Sequence, residues 1–575
     1  MCGIRISDLQ QRLANKATRE PEHRFDDLYD LLLWTDVLDE AQRRLLTHAG
    51  SDTAGLDGMN RQALRENWGF YRTLVLRQLR DGTFQPIPVR RVYIPKPNGK
   101  RRPLGIPTLI DRLVQMAVKI VIEPIFESDF APYSHGFRPL RSCHTAAAQI
   151  LNLSNRRGRP YWVIEGDIEG CFDHVHHRKL MTLLRQRIKD KRLLDLIWRF
   201  LRAGVMEGNL FVKTDEGTPQ GGILSPLLAN VYLNHFDQWF RQRAMLNNKT
   251  ARWRHRKEGR ANFSLVRYAD DFIVLSNGTK EETVAFKQEI KAWMDRELHL
   301  TLSEEKTSVT HLTAGIDFLG FTFKLTEARS TGRTCLLQYP STESVQRAIR
   351  RVSEITDRRT LLKSPADVID ALNAFLRGWG EYFRHCSGKR ALRYVGSHAH
   401  MRMWAWLQAK SGKQHGWREI RRRYYRDQTW IVDGHRLFIL QSMQVEYTRH
   451  RAYPNPFLAG HTATLDHGHY DPLRSAWKGH RGYGPEWEAA RSTVLRIYRN
   501  TCLVCGGPAY DVHHRKDHRP RGGHNIATLV PLCRKHHREA ERRNSEVSHL
   551  LRDLTPDSGE PDEAKASRPV RGETL

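Results

Sequence analysis

In FSLVRYADDFIVLS, residues 263–276, two adjacent aspartates stand between two apolar runs. Leu265-Val266 and Phe272-Ile273-Val274-Leu275 read as β-strands, and Ala-Asp-Asp between them reads as a tight hairpin turn. An Asp in a turn needs no further reason, because its short carboxylate bonds its own backbone. Two like charges at one hairpin tip have a second explanation, which is neutralisation by divalent cations. The rest of the chain decides between the two.

Asp167 follows the apolar strand YWVIEG and opens the run DIEGCFD. Alone, it reads equally as a strand end or a cap. If its strand lies beside the hairpin, Asp167, Asp270 and Asp271 converge from distant parts of the chain on one sheet face. Such a cluster is strongly unfavourable without cations. Two divalent ions there would lower the pKa of a primer 3′-hydroxyl, bridge the phosphates of an incoming nucleotide and stabilise the leaving pyrophosphate. Mg²⁺ suits this task, because it prefers oxygen ligands and keeps positions open for phosphates. Between the acids lies EGTPQGGILSPLLANVYLNHF, where Gly217, Gly221 and Gly222 permit close approach of backbone to a ligand. Gln220 offers both a donor and an acceptor, and Ser225-Pro226 opens a helix.

Charge narrows the partner. Lys plus Arg number 93 against 64 Asp plus Glu, a net +29 over 575 residues. A surplus of that size favours a polyanion, nucleic acid above all. ARWRHRKEGR (251–260) and WREIRRRYYRD (417–427) interleave bases with Trp253, Tyr424 and Tyr425, a mixture that suits phosphates and unpaired RNA bases. No apolar run approaches the length that spans a bilayer, and the start MCGIRISDLQQRLANK lacks an apolar leader, so a cytoplasmic protein is expected.

Elsewhere, FDDLYDLLLWTDVLDEAQRRLL has helical spacing, and RLVQMAVKIVIEPIF places Leu113, Met116, Ala117, Ile120 and Val121 on one helix face. Beyond Ser341 the reading is helical again. The last segment, from TPDSGEP onward, lacks residues to bury and reads as a disordered tail. Of the 8 cysteines, Cys2, Cys143, Cys171, Cys335 and Cys386 stand singly, as in a reducing compartment. Cys502-x-x-Cys505 and Cys533-x-x-His536 instead form two knuckles, a ligand set for a tetrahedral structural Zn²⁺.

The order of YIPKPNGKRRPLGIPTLIDR, YSHGFRP, DIEGCFD, GTPQGGILSPLLANVYL, YADD and FLGF resembles the sequence blocks of reverse transcriptases, in the wording of bacterial group II intron-encoded proteins. RGWGEYFRHC and the basic helices after it resemble that family's thumb and maturase region. The resemblance implies an α+β multidomain fold: a right-hand polymerase with fingers and an antiparallel palm sheet, an α-helical thumb and maturase region, and a small zinc-containing ββα-metal (HNH) domain. The expected boundaries are an N-terminal helical extension at 1–85, fingers and palm at 86–335, and thumb at 336–410. A basic maturase and DNA-binding region follows at 411–490, the HNH domain at 491–545 and the tail at 546–575.

Residue by residue, the resemblance makes Asp167, Asp270 and Asp271 the Mg²⁺-binding triad and Phe172 the residue under the sugar that excludes a 2′-hydroxyl. Lys96 and Arg102 would hold the triphosphate, as the chemistry of several negative charges also asks, and Gln220 would line the nucleotide pocket. Asp511-Val512-His513-His514 and His537 resemble an HNH nuclease. His514 would be its general base, with His513 and His537 on a catalytic divalent ion. Thr528 stands where the motif's central Asn is expected, with Asn525 three residues earlier. The implied function combines RNA-directed DNA polymerase, maturase and DNA endonuclease. Its partners would be group II intron RNA, target DNA and deoxynucleoside triphosphates, with no membrane; a dimer stays open, and association with the nucleoid accompanies work on DNA. Two rivals are an RNA-binding splicing cofactor without enzymatic activity and a reverse transcriptase with a host or defence role.

Overall fold

The structure, a computed structural model, describes residues 5–47, 49–95, 101–155, 161–207, 210–212, 216–218, 221–245, 249–327, 334–412, 416–446 and 455–458. Of the remainder it describes 495, 501, 508–509, 511–514 and 529–532. The chain divides into two compact units, Met1–Tyr470 and Asp471–Leu575.

In the first unit, helices Ile6–Arg19, Leu28–Leu32, Thr35–Thr47, Arg61–Glu66 and Trp68–Arg80 precede any strand. Helices Ile6–Arg19 and Thr35–Thr47 pack on the long helix Leu109–Asp129. The sequence pattern gave that long helix a single apolar face, but Val114, Val118, Ile122 and Ile125 are buried as completely as Leu113, Ala117, Ile120 and Val121. The N-terminal helices cover its other side, so periodicity from one face alone understated its burial. Thr108 caps it, accepting from the Asp111 N–H.

Two sheets carry the candidate site. The basic hairpin pairs Val89–Pro95 with Arg101–Ile106, and Val89–Pro95 also runs parallel to Val205–Glu207, which pairs with Leu210–Val212. The second sheet has the order Phe263–Tyr268, Asp271–Ser276, Trp162–Asp167, Ser308–His311, all antiparallel. Ile164, Leu265, Phe272 and Val274 join one core, and Val163, Val266, Ile273 and Leu275 join another with Ile150, Phe321 and Phe323. Burial on both faces explains the uninterrupted run Phe272-Ile273-Val274-Leu275, where a one-sided sheet would alternate with polar residues.

A three-stranded sheet, Ile316–Phe318, Phe321–Glu327 and Thr334–Pro340, leads into helices Thr342–Ile355, Pro365–Phe383 and Lys389–Ser411. These helices share a core that includes Val352, Leu372, Leu376, Leu392, Met403 and Trp406. The helical reading beyond Ser341 fails at Tyr425. After helix Trp417–Tyr424 the chain forms a small meander of Tyr425–Arg426, Thr429–Val432 and His435–Arg436. Its two-residue turns, Asp427-Gln428 and Asp433-Gly434, have positive φ throughout, the mirror-image geometry that suits a hairpin. In the second unit, Asp511–His514 pairs antiparallel with Leu529–Leu532. Among the described residues, Cys143, Cys171, Cys335 and Cys386 are free thiols, and no helix is long and apolar enough to cross a membrane.

Candidate active site

Strand Trp162–Asp167 pairs with Asp271–Ser276 in a register that sets Asp167 directly opposite Asp271. Gly166 makes this possible, since a Cβ there would lie 2.2 Å from the Phe272 ring. Tyr268 pairs with Asp271, so Ala269-Asp270 forms a two-residue turn. The sheet therefore brings together the three acids that the sequence separates by about a hundred residues.

The turn is strained and braced. Ala269 has φ +58, a left-handed conformation that a side chain with a Cβ disfavours. Arg267, with its side chain 0% exposed, donates through Nη1 to the Ala269 carbonyl at 2.8 Å and to Asn230 Oδ1 at 3.2 Å. Its Nε donates to Asp237 Oδ1 at 2.9 Å, and Nη2 completes a fork onto Oδ2. Asn230 and Asp237 lie on one face of helix Ser225–Ala244, two turns apart. That helix begins where the Gly-rich loop ends, so one element both follows the loop and holds the acid turn.

Lys306 supplies the positive charge beside the acids, its Nζ donating to Asp167 Oδ2 at 2.9 Å. That bond raises the Lys306 pKa, helped by the charges of Asp167, Asp271 and Asp270. Asp271 keeps solvent contact at the start of its strand. Partial burial, then the charges of Asp270 and Asp167, push its carboxyl up to about 7 against the opposing effect of Lys306. Among the described residues, no group of three or more His, Cys, Asp or Glu side chains is closed around one ion position. Asp167 bonds Lys306 and also lies within hydrogen-bond reach of the Asp271 carboxyl. The donors are nonetheless all carboxylate oxygens whose mutual repulsion a hard divalent ion would relieve, so the residues fit Mg²⁺ chemically.

Phe172 sits in the turn after Asp167, half-buried, and its carbonyl accepts from the Thr218 N–H at 2.7 Å. The Gly-rich loop is thus tied to the segment that bears Phe172. Its glycines admit the protein's own backbone: a Cβ at Gly217 would lie 2.7 Å from the Asp173 carbonyl oxygen, and one at Gly221 would lie 2.5 Å from that of Gly105. The expected approach to a ligand is, at these two positions, an approach to neighbouring chain. Lys96 and Gln220 lie outside the described residues, and of Arg102 only its backbone place opposite Ile94 is described. Cys502, Cys505, Cys533, His536 and His537 also lie outside them, while His513 and His514 are placed on strand Asp511–His514 by backbone alone.

Sequence reasoning missed Arg267, Asn230, Asp237, Lys306 and Gln115. Gln115 Oε1 accepts from the N–H groups of Ile223 at 2.9 Å and Leu224 at 3.4 Å, at a helix start with no side-chain cap of its own. A signal for Arg267 existed, because a charge at an inward position of an apolar strand requires a buried partner. On the basic surfaces, Trp253 is 51% exposed with Lys257 Nζ 4.5 Å from its ring. Tyr424 and Tyr425 instead pack against the helical core, with Arg423 and Arg421 over their rings.

Residues 94–323 match the family described as reverse transcriptase (RNA-dependent DNA polymerase), and residues 345–425 match the group II intron, maturase-specific domain. Protein YkfC of Escherichia coli is 40% identical over 334 residues, an alignment that covers 55% of this chain and 87% of that protein. The chain belongs to the group II intron reverse transcriptase–maturase family. Another similar protein is the group II intron-encoded protein LtrA of Lactococcus lactis, 36% identical over 375 residues, covering 56% of this chain and 61% of LtrA. Nuclear intron maturase 1 of Arabidopsis thaliana mitochondria is 26% identical over 287 residues, 37% of this chain and 40% of that protein. The reverse transcriptase–maturase match thus spans both the acid-bearing sheet and the helices from Val345 to Tyr425.

Proposed function

We propose that this protein is an RNA-directed DNA polymerase and maturase that works with a group II intron RNA, and that its C-terminal segment is an HNH nuclease which nicks target DNA. The observation that carries the polymerase reading is the facing pair Asp167 and Asp271, with Asp270 beside them on a braced turn, inside the reverse transcriptase match. Asp167, Asp270 and Asp271 would hold Mg²⁺, which when bound supplies electrostatic stabilisation to the phosphoryl transfer and acidifies the primer 3′-hydroxyl. Lys96 and Arg102 bind the triphosphate by charge-assisted hydrogen bonds, Gln220 lines the pocket, and Phe172 stands against the sugar so that a deoxynucleotide is selected. Lys306 balances Asp167.

The maturase reading rests on the match at 345–425 and on the net charge of +29. The nuclease reading rests on the sequence alone: Zn²⁺ on Cys502, Cys505, Cys533 and His536, a divalent ion on His513 and His537, and His514 as the base. The division at residues 85, 335, 410, 490 and 545, the cytoplasmic location and any dimer belong to the same proposal. A splicing cofactor that only binds RNA would have no need of facing carboxylates beside a strained turn that carries a third. The test is primer extension on an RNA template with deoxynucleotides and Mg²⁺, comparing the protein with Asp270→Ala. Synthesis by the parent alone is expected. Equal synthesis by both would remove the aspartates from the chemistry, and none by either, from folded RNA-binding protein, would favour the cofactor reading.

A further inference from the structure

The segment Tyr133-Ser134-His135-Gly136-Phe137-Arg138 is fixed on both sides of Phe137. Upstream, the Arg267 N–H donates to the Tyr133 carbonyl at 2.9 Å, and the His135 N–H donates to the Arg267 carbonyl at 2.8 Å. The Gly136 carbonyl accepts from Asn230 Nδ2 at 2.8 Å, and a Cβ at Gly136 would lie 2.2 Å from the Ala269 nitrogen. Downstream, the buried Arg138 guanidinium forks onto Glu127 and donates to the carbonyls of Ala131 and Ser134. Phe137 is left in the left-handed region at φ +57 with 49% of its surface exposed. Its ring meets Phe172 edge-on, centroids 6.0 Å apart at 79°. A bulky residue disfavours that conformation, and the ring stays half-exposed instead of being seated in a core. Strain that packing does not explain marks a functional position.

We infer that Phe137 is a specificity-determining positioning residue of the nucleotide site: its ring props Phe172 at the angle from which Phe172 excludes a 2′-hydroxyl. This rests on the reading of Phe172 given above. An edge-to-face contact restricts ring rotation, and a sugar gate discriminates only while its ring cannot swing away. Arg267, which holds the Ala269 carbonyl, also bonds Asn230, which holds the Gly136 carbonyl, so gate, prop and acid turn share one frame.

The experiment uses the full chain in four forms: parent, Phe172→Val, Phe137→Gly and the double variant. Glycine adopts φ +57 without strain, so the single Phe137→Gly variant removes the ring and is expected to melt at or above the parent temperature. The readout is the ratio of kcat/KM for a deoxynucleotide to that for the matching ribonucleotide on one RNA template. Phe172→Val is expected to lower this ratio about tenfold or more and Phe137→Gly about fivefold. The double variant should fall no further than Phe172→Val, because the prop acts only through the gate. Phe137→Tyr should retain the parent ratio. An unchanged ratio in Phe137→Gly beside a relaxed Phe172→Val overturns the proposal while sparing the gate, as does a double variant whose effects multiply. An unchanged ratio in Phe172→Val overturns the gate reading and the proposal with it.

Discussion

At Arg267 a guanidinium lies wholly out of water, forked on Asp237, which is equally buried. A buried pair of this kind contributes little net stability, but removing one partner strands a charge, at a cost of about 3–5 kcal/mol. Arg267→Met is expected to destabilise the first unit by about that amount in urea unfolding, and to abolish synthesis by releasing the Ala269 carbonyl. A loss below about 1 kcal/mol would mean that Asp237 finds another partner. The three acids were legible as candidates, because Asp-Asp at a hairpin tip is conspicuous. Lys306 was not legible, since the sequence LSEEKTS shows a base among acids and the partner Asp167 lies 139 positions away.

The first turns of helix Leu109–Asp129 work as an attachment point for both the basic hairpin and the Gly-rich loop. Asp111 Oδ2 accepts from Thr108 Oγ1 at 2.7 Å and from the Ile87 N–H at 3.2 Å, just before the basic hairpin. Gln115 holds Ile223 and Leu224, just after the Gly-rich loop. Gln115→Met, of similar length without the acceptor, is expected to speed hydrogen exchange of the Ile223 and Leu224 amides about tenfold with little change elsewhere; unaltered exchange would show that the helix start is held by other bonds. Burial pushes the Asp111 carboxyl up to about 6 against its two hydrogen bonds. Below the ordinary value near 4 both folded and unfolded chains hold that proton; between about 4 and 6 only the folded chain does, so stability falls as pH rises through that window. Asp111→Asn should therefore flatten the decline between pH 4.5 and 6.5 by about 2 kcal/mol in urea melts. An equally steep decline in the variant would assign the effect to Asp129 or Asp271, which titrate in the same direction.

For the whole molecule, the proposed function puts synthesis and nicking on residues of different compact units, Asp270 in Met1–Tyr470 and His514 in Asp471–Leu575. Asp270→Ala is expected to abolish synthesis while sparing DNA nicking, and His514→Ala to do the reverse, each measured on the full protein with melting curves as a control. Loss of both activities in a folded variant would refute separate sites. A net charge of +29 predicts that affinity for RNA falls steeply and log-linearly with salt. Retention of affinity at high salt would point to shape and stacking as the larger contribution.

Local chemistry in the sequence determined the elements that need only their own neighbours: the hairpin of residues 263–276, the strand that ends in Asp167, the helix that Pro226 opens and the surplus of bases. It misread residues 425–436, because a basic helix pattern ran into turn signals that only the Asp433-Gly434 pair announced. The tertiary structure alone decided that both faces of the acid-bearing sheet meet a core, that Gly217 and Gly221 admit backbone, and that Arg267, Gln115 and Lys306 hold the site together. The physical reason is that periodicity and turn propensity act over a few residues, whereas a buried charge or an orphaned N–H finds its partner wherever the fold brings one.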